Sequence, residues 1–331
     1  MQRSHLFCSL LVIGLGLTGQ AAKANRADPV WTDPNKAADE DVDFRFQGEY
    51  GINKKGQAWA VQVVALGDGR FDGYLLEGGL PGLGWDRKRT RIKLSGVRQG
   101  DTVTLASSDG TFKAKISEGC IVVGREGKQI ADLPRLIRKS PTLRAKPPEG
   151  AVILFDGTDA DAWINGRVEN DLLPNTDITT KRKFGDYLLH LEFRTPYKPY
   201  ARGQGRGNSG VYHQGRYETQ VLDSFGLEGR MNECGGIYSI AHPRLNMCLP
   251  PLTWQTYDVD FTAARFDGNG QVRRHARMTV RLNGVVIHRD QELPRTTTAA
   301  PIGEITPAPG PIYIQHHGNP VYYRNIWIVP K

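Results

Sequence analysis

The segment from Asn208 to Ser224 constrains the fold more than any other part of the chain. It reads Asn208-Ser209-Gly210-Val211-Tyr212 and then Tyr217-Glu218-Thr219-Gln220-Val221-Leu222-Asp223-Ser224, with carboxylates and amides at alternating positions in a β-rich background. Successive strand side chains point to opposite faces, so Glu218 and Gln220 share one side while Tyr217, Thr219 and Val221 share the other. A strand that polar on one face is expected to line a site.

At 331 residues the chain exceeds the usual size of one compact core, which predicts two domains, each with its own interior. Its 38 glycines and 20 prolines, with few long apolar periodic segments, favour short strands joined by tight turns. An all-β chain is expected. The formal charge is +8, but acidic residues are interspersed with basic ones and no basic stripe is interleaved with aromatics, which argues against a nucleic-acid partner.

Residues 1–24 have the make-up of an export signal: Arg3 in a positive first region, an apolar Leu6 to Leu17, and Ala22-Lys23-Ala24 as a small-x-small cleavage site. The apolar run is short for a membrane span, and Cys8 lacks the neighbours of a lipid attachment site. A periplasmic or extracellular location with no membrane span is therefore expected. Export permits disulfides, and the mature chain keeps Cys120, Cys234 and Cys248. The expectation is a Cys234–Cys248 bridge with Cys120 a buried thiol among Ile121, Val122 and Val123; the alternative is three unpaired buried cysteines.

Residues 25–41 read as an extended polar leader. From 42 to 134 a small β-rich domain is predicted, with strands at Phe44 to Phe46, Trp59 to Val64, Phe71 to Leu76, Thr90 to Leu94, Thr102 to Leu105, Phe112 to Ile116 and Cys120 to Val123. Gly67-Asp68-Gly69 and Asp109-Gly110 punctuate them. Residues 135–150 form a basic linker with two adjacent prolines, Pro147 and Pro148, which sets the boundary near residue 145. The run Gly78-Gly79-Leu80-Pro81-Gly82-Leu83-Gly84-Trp85 lacks the lysine and hydroxyl of a phosphate loop and contains a proline, so it reads as a structural turn.

The second domain, 151–331, opens on the strand Ala151 to Phe155. Asp156, Asp159 and Asp161 lack the glycine and closing glutamate of a calcium loop and read as turn formers. Tyr187 to Arg194 splits into an apolar row (Tyr187, Leu189, Leu191, Phe193) and a more polar row (Leu188, His190, Glu192, Arg194) that faces solvent or a groove. Asn283-Gly284 between apolar runs is a hairpin signal, and Asp267-Gly268-Asn269-Gly270 a weaker one. Near the end, Tyr313, Gln315 and His317 share a face against Ile312, Ile314 and His316, and Val321 to Ile328 is a strand. Several strands each offering Glu, Gln, His, Arg and Tyr suggest one concave polar face of the kind that binds sugars.

Here the residues support a resemblance. Leu154-Phe155-Asp156-Gly157, Phe184-Gly185-Asp186-Tyr187 with Glu192-Phe193-Arg194, Asn208-Ser209-Gly210-Val211 and Tyr217 to Asp223 come first. Cys234-Gly235-Gly236-Ile237-Tyr238, Trp254, Asn283-Gly284-Val285, Ile314-Gln315-His316-His317-Gly318 and Tyr323-Arg324-Asn325-Ile326 follow in order. Over about residues 150 to 331 this set resembles the 3-keto-disaccharide hydrolase domain family. The resemblance implies a concanavalin-like jelly-roll sandwich, secretion, and action on glycosides oxidised at C3. The leading β domain and its proline joint resemble an arrangement seen in proteins of planctomycete-type bacteria. Two departures stand out: a long basic insert, Tyr197 to Gly207, which would bear on substrate choice, and Tyr322-Tyr323 where a bulky residue plus Phe is common.

On such a substrate the C3 ketone acidifies the C2 proton, a base removes it, the C1 leaving group departs with help from an acid, and water adds to the enone. The candidates are Glu218 as base, His317 as acid and Arg324 as the partner of the developing enolate, with Gln220, Gln315, Asn208, Asp223, Glu192, Arg194 and Tyr238 holding hydroxyls. Direct hydrolysis by two carboxylates, Glu218 with Glu192 or Asp223, competes. Each candidate has a structural alternative: an ion pair for Glu218 with Arg194 or Arg324, a turn for His317, a clamp for Arg324 and a core position for Tyr238 or Trp254. No cofactor is implied and no histidine spacing suits a metal, although a calcium held by loop carboxylates is conceivable in this sandwich class. Ser209 lacks the glycine spacing of a nucleophile elbow. An enzyme and a non-catalytic, lectin-like glycan binder both fit; in a third reading the first domain docks the protein on a cell surface and the second is structural.

Overall fold

The computed structural model describes residues 28–331, so the expected export signal lies outside the described residues. Among these, no helix is long and apolar enough to cross a membrane.

The polar leader is not extended throughout. Asp33 caps a helix over Pro34–Glu40, its side chain accepting from the N–H groups of Asn35 and Lys36, with Pro34 at the first helical position. The expected strand at Phe44 to Phe46 is instead part of a 3-10 turn, Val42–Arg45, capped by the Asp41 side chain. Asp43 in that turn is buried and tied to Arg98 at 2.7 Å and to the Gly69 N–H, which outweighs the β preference of its aromatic neighbours.

Eight antiparallel strands follow: Gly48–Tyr50, Trp59–Ala65, Arg70–Glu77, Arg91–Gln99, Thr102–Ala106, Phe112–Ser117, Cys120–Arg125 and Lys128–Leu136. They close into a barrel because the first pairs with the last, Glu49 opposite Leu136. Alternation fills the barrel with Val61, Val63, Phe71, Leu75, Leu94 and Ile121. The opposite rows of two strands, Ala60, Val64, Tyr74 and Leu76, join Leu80 and Trp85 of the glycine-rich turn in the same apolar cluster as the second half of the chain. Barrel and sandwich are thus packed against each other.

The second half is an antiparallel sandwich. One sheet orders Trp163–Ile164, Ile178–Thr180, Tyr313–His316, Ser209–His213 and Tyr217–Val221; the other is built on Tyr322–Pro330, Tyr187–Arg194, Gln255–Thr262, Ala276–Leu282 and Val285–Leu293, with Leu173–Pro174 and Val152–Phe155 both pairing Tyr322–Pro330. Tyr187, Leu189, Leu191 and Phe193 meet Val211, Tyr217, Val221 and Ile314 between them. Asn283-Gly284 makes the expected hairpin with φ of 52° and 77°, the left-handed pair a two-residue turn needs. Asp156 and Asp159 accept from Thr158 and Asp161 as turn formers do.

The expected bridge is absent. Cys234 and Cys248 are free buried thiols, Cys234 beside the Tyr257 hydroxyl at 3.4 Å and Cys248 toward the Leu222 carbonyl at 3.6 Å. Cys120 is half-buried, not buried, because it begins a strand at the end of the barrel.

Candidate active site

Three neighbouring strands, Tyr313–His316, Ser209–His213 and Tyr217–Val221, give their apolar rows to the core and their polar rows to the opposite face. Register sets Tyr212 opposite Glu218, and Gly210 opposite both Gln220 and Gln315. Glu218, His317, Asn208, Gln220, Tyr238 and Gln315 line one cavity of about 80 Å³ on that face. Gln204, Tyr212, Thr298 and Ala299 complete its wall.

Loops cover the cavity, so Glu218 is only 3% exposed although it lies on an outer sheet face. Burial pushes its carboxyl up to about 8, against a hydrogen bond from the Tyr212 hydroxyl that acts the other way. Among the described residues nothing cationic pairs with it: desolvation favours the neutral form and leaves a strong base once ionised. The Gln315 amide donates to the Tyr212 hydroxyl at 3.3 Å, fixing the phenol that holds the carboxylate. Gly210 matters through what it lacks, because a β-carbon there would stand 2.9 Å from Glu218 Cδ.

The amides are arranged around Gln204. Its Oε1 accepts from Asn208 and from Gln220, each at 3.0 Å, and its own NH₂ donates to the Asn232 carbonyl at 2.8 Å. That leaves Asn208 Oδ1 and Gln220 Oε1 buried without a hydrogen-bond partner. An unmet buried acceptor costs about 1–3 kcal/mol, so these two oxygens are open to a hydrogen-bond donor that enters the cavity. His317 is exposed at the rim, just before Gly318 with φ of 65°.

Four expected site residues lie elsewhere. Glu192, Arg194 and Arg324 belong to the other sheet, where Glu192 and Arg324 face each other across adjacent strands. Glu192 is fully buried and accepts from Arg324 at 2.7 Å, from Asn325 at 3.0 Å and from the Arg144 backbone N–H at 2.5 Å. Burial alone would raise its carboxyl, but His190, 3.8 Å away, and the hydrogen bonds from Asn325, Arg144 and Arg324 hold it down to about 2. Burial lowers the His190 imidazole, but Asp258, 2.7 Å from Nδ1, and Glu192 together raise it above its ordinary value. Thr142 donates to Asp258 at 2.8 Å, and the Ala145 carbonyl accepts from Asn325 and Trp327. The polar row of the Tyr187 strand therefore receives the linker. Arg324 and Arg194 stack on the Trp254 ring, 4.0 and 4.8 Å from its centroid. Asp223 is a buried partner of Arg206 at 2.8 Å and lies off the cavity wall. A two-carboxylate pair is thus missing, Glu218 being the one carboxylate among the residues that line the cavity.

Tyr212 and Gln204 escaped the sequence reading. The first was legible, since it shares strand parity with Asn208 and Gly210; the second sits in a turn, Gly203–Gly205, where no periodicity applies.

Comparison with known proteins bears on the sandwich half of the chain. Residues 150–329 match the family model described as a 3-keto-alpha-glucoside-1,2-lyase-like domain. A candidate glycosyl hydrolase from Parabacteroides distasonis is similar in structure at 34% identity and a TM-score of 0.52, over 56% of this chain and 85% of that one. A second candidate glycosyl hydrolase from the same organism is 20% identical with a TM-score of 0.42, over 55% and 94%. Comparison with curated proteins gives no match. Through its sandwich half the chain belongs to the 3-keto-alpha-glucoside-1,2-lyase-like domain family and has the fold of a carbohydrate-active enzyme.

Proposed function

We propose that the protein cleaves glycosides oxidised at C3 by elimination and hydration. The observation that carries this is Glu218, a buried, unpaired carboxylate raised to about 8, in one cavity with the unmet acceptors of Asn208 and Gln220. In the proposed reaction the ionised carboxylate takes the C2 proton, the electron pair forms the C1–C2 double bond, and the C1–O bond breaks. His317 at the rim protonates the departing oxygen. Water then adds at C1 and a proton returns to C2, so the balance is hydrolysis. The enolate is met by neutral donors that share the cavity, Tyr238 and the second N–H of the Gln315 amide, and not by Arg324, while Tyr212 holds the base. A cavity of about 80 Å³ is small, which suits the reacting edge of one ring with the leaving group outside. Secretion and independence of metal remain part of this reading, with a loop calcium as the alternative to the latter.

The test is to incubate the chain with a 3-keto-glucoside and with the unoxidised glucoside in D₂O. Cleavage of the first alone, with deuterium at C2 of the product and loss of both in Glu218→Gln, supports the reading. Equal cleavage of both sugars with C2 hydrogen retained would replace it with direct hydrolysis. Saturable binding without product would replace it with glycan binding alone.

A further inference from the structure

No barrel residue lines the cavity, yet the barrel holds two of the loops around it, the third being the one that carries Thr298 and Ala299. Arg87, in the loop between two barrel strands, donates to three carbonyls of the sandwich: Gly229 at 2.6 Å, Pro243 at 2.9 Å and Arg244 at 3.1 Å. Arg91 donates to the Gly226 carbonyl at 2.6 Å while its guanidinium lies 3.8 Å from the centroid of the Tyr74 ring. Gly226 has φ of 73°, and a β-carbon there would come within 2.5 Å of Val64 in the barrel. The segment so pinned carries Tyr238 to the cavity and brings the Asn232 carbonyl to the Gln204 amide. The second loop, residues 197–207, is pinned as well: Arg202 donates to the Leu66 carbonyl at 2.9 Å, and Tyr200 to Asp68 at 3.2 Å. It carries Gln204. The two loops meet where Gln204 donates to the Asn232 carbonyl.

We propose that the barrel is a frame for the substrate-binding amides, with Arg87 as a positioning residue. It clamps one loop and Leu66 to Asp68 clamp the other, and the Gln204–Asn232 bond joins them so that Asn208 and Gln220 present their free oxygens in one orientation. A guanidinium suits the task because its five donors, spread over three nitrogens in a fixed plane, span carbonyls set apart from one another, whereas the three donors of an ammonium radiate from one nitrogen. This rests on the reading that the cavity takes a ketoglycoside.

The test uses the full chain with Arg87→Ala and Arg87→Lys. For a 3-keto-glucoside, KM is expected to rise about tenfold in Arg87→Ala while kcat falls less, because the binding amides are disturbed most, Tyr238 in part and the base not at all, and Arg87→Lys is expected to recover only part of the loss. A lower melting temperature with KM unchanged would overturn the proposal. Hydrogen exchange decides the coupling without any turnover. The Gly205 and Arg206 amides, which Arg87 does not touch, are expected to exchange about tenfold faster in Arg87→Ala. Unchanged rates there would also overturn it. Absence of turnover in the wild-type chain would instead remove the proposed reaction while the exchange result still judges the frame.

Discussion

The Glu218 carboxylate lies directly over Gly210, across the ladder that pairs Ser209–His213 with Tyr217–Val221. Gly210 does not have a positive φ, so its role is space and not backbone freedom. Gly210→Ala is therefore expected to push the base out of place. We expect turnover to fall by about 100-fold, as an ångström-scale misplacement does, with a stability loss of about 1–3 kcal/mol from overpacking. Assay and thermal melting of the same preparation check both.

Glu218 sets the pH profile. A base must be ionised, so kcat/KM is expected to rise with pH through about 8, the value to which burial pushes this carboxyl. Stability runs the opposite way. With the folded value above the unfolded one, the group costs nothing well below the unfolded pKa, and its cost grows as pH rises until it is complete above about 8. Glu218→Gln is expected to abolish turnover and to be the more stable chain at pH 8, by up to a few kcal/mol, with the difference vanishing at low pH. Chemical denaturation across the pH range measures it.

Arg324 answers to stability and not to chemistry. Its loss leaves the buried Glu192 carboxylate with fewer partners, for an expected cost of roughly 3 kcal/mol. Turnover of the folded Arg324→Ala chain is expected to stay near wild type, which kinetics below its melting temperature would show. Glu192, held down to about 2, contributes stability that is present above its unfolded value and lost as pH falls toward 2. Glu192→Gln is expected to flatten that acid limb.

Cys234 and Cys248 are unbridged and buried. Alkylation in denaturant without reductant is expected to label both, while the folded chain leaves both unlabelled; mass spectrometry of the peptides distinguishes the outcomes.

Much of the sandwich was legible because period-two alternation is a local property. It separated Glu218 and Gln220 from Tyr217 and Val221, and Tyr313 and Gln315 from Ile314, as the core requires. Asn283-Gly284 named its own turn. The helix after Asp33 could have been seen in the Asp-Pro pair, where cap chemistry competes with a polar, loop-like composition.

Alternation says that a strand has a polar face; it does not say what covers that face. Two polar rows were visible in this chain, one ending in Gln220 and Gln315 and one running through His190, Glu192 and Arg194, and by themselves they were equivalent. Tertiary structure separated them, because the first was roofed by loops over a small cavity that leaves Glu218 without an ion pair, whereas the linker, through Thr142, Arg144 and Ala145, ties up the second and leaves Glu192, already paired with Arg324, at the wall of a more open pocket of about 540 Å³. The residue types and their facing were settled by the backbone's own geometry, whereas the assembly of a base with its amides depended on contacts between segments far apart in the chain, which no local pattern encodes.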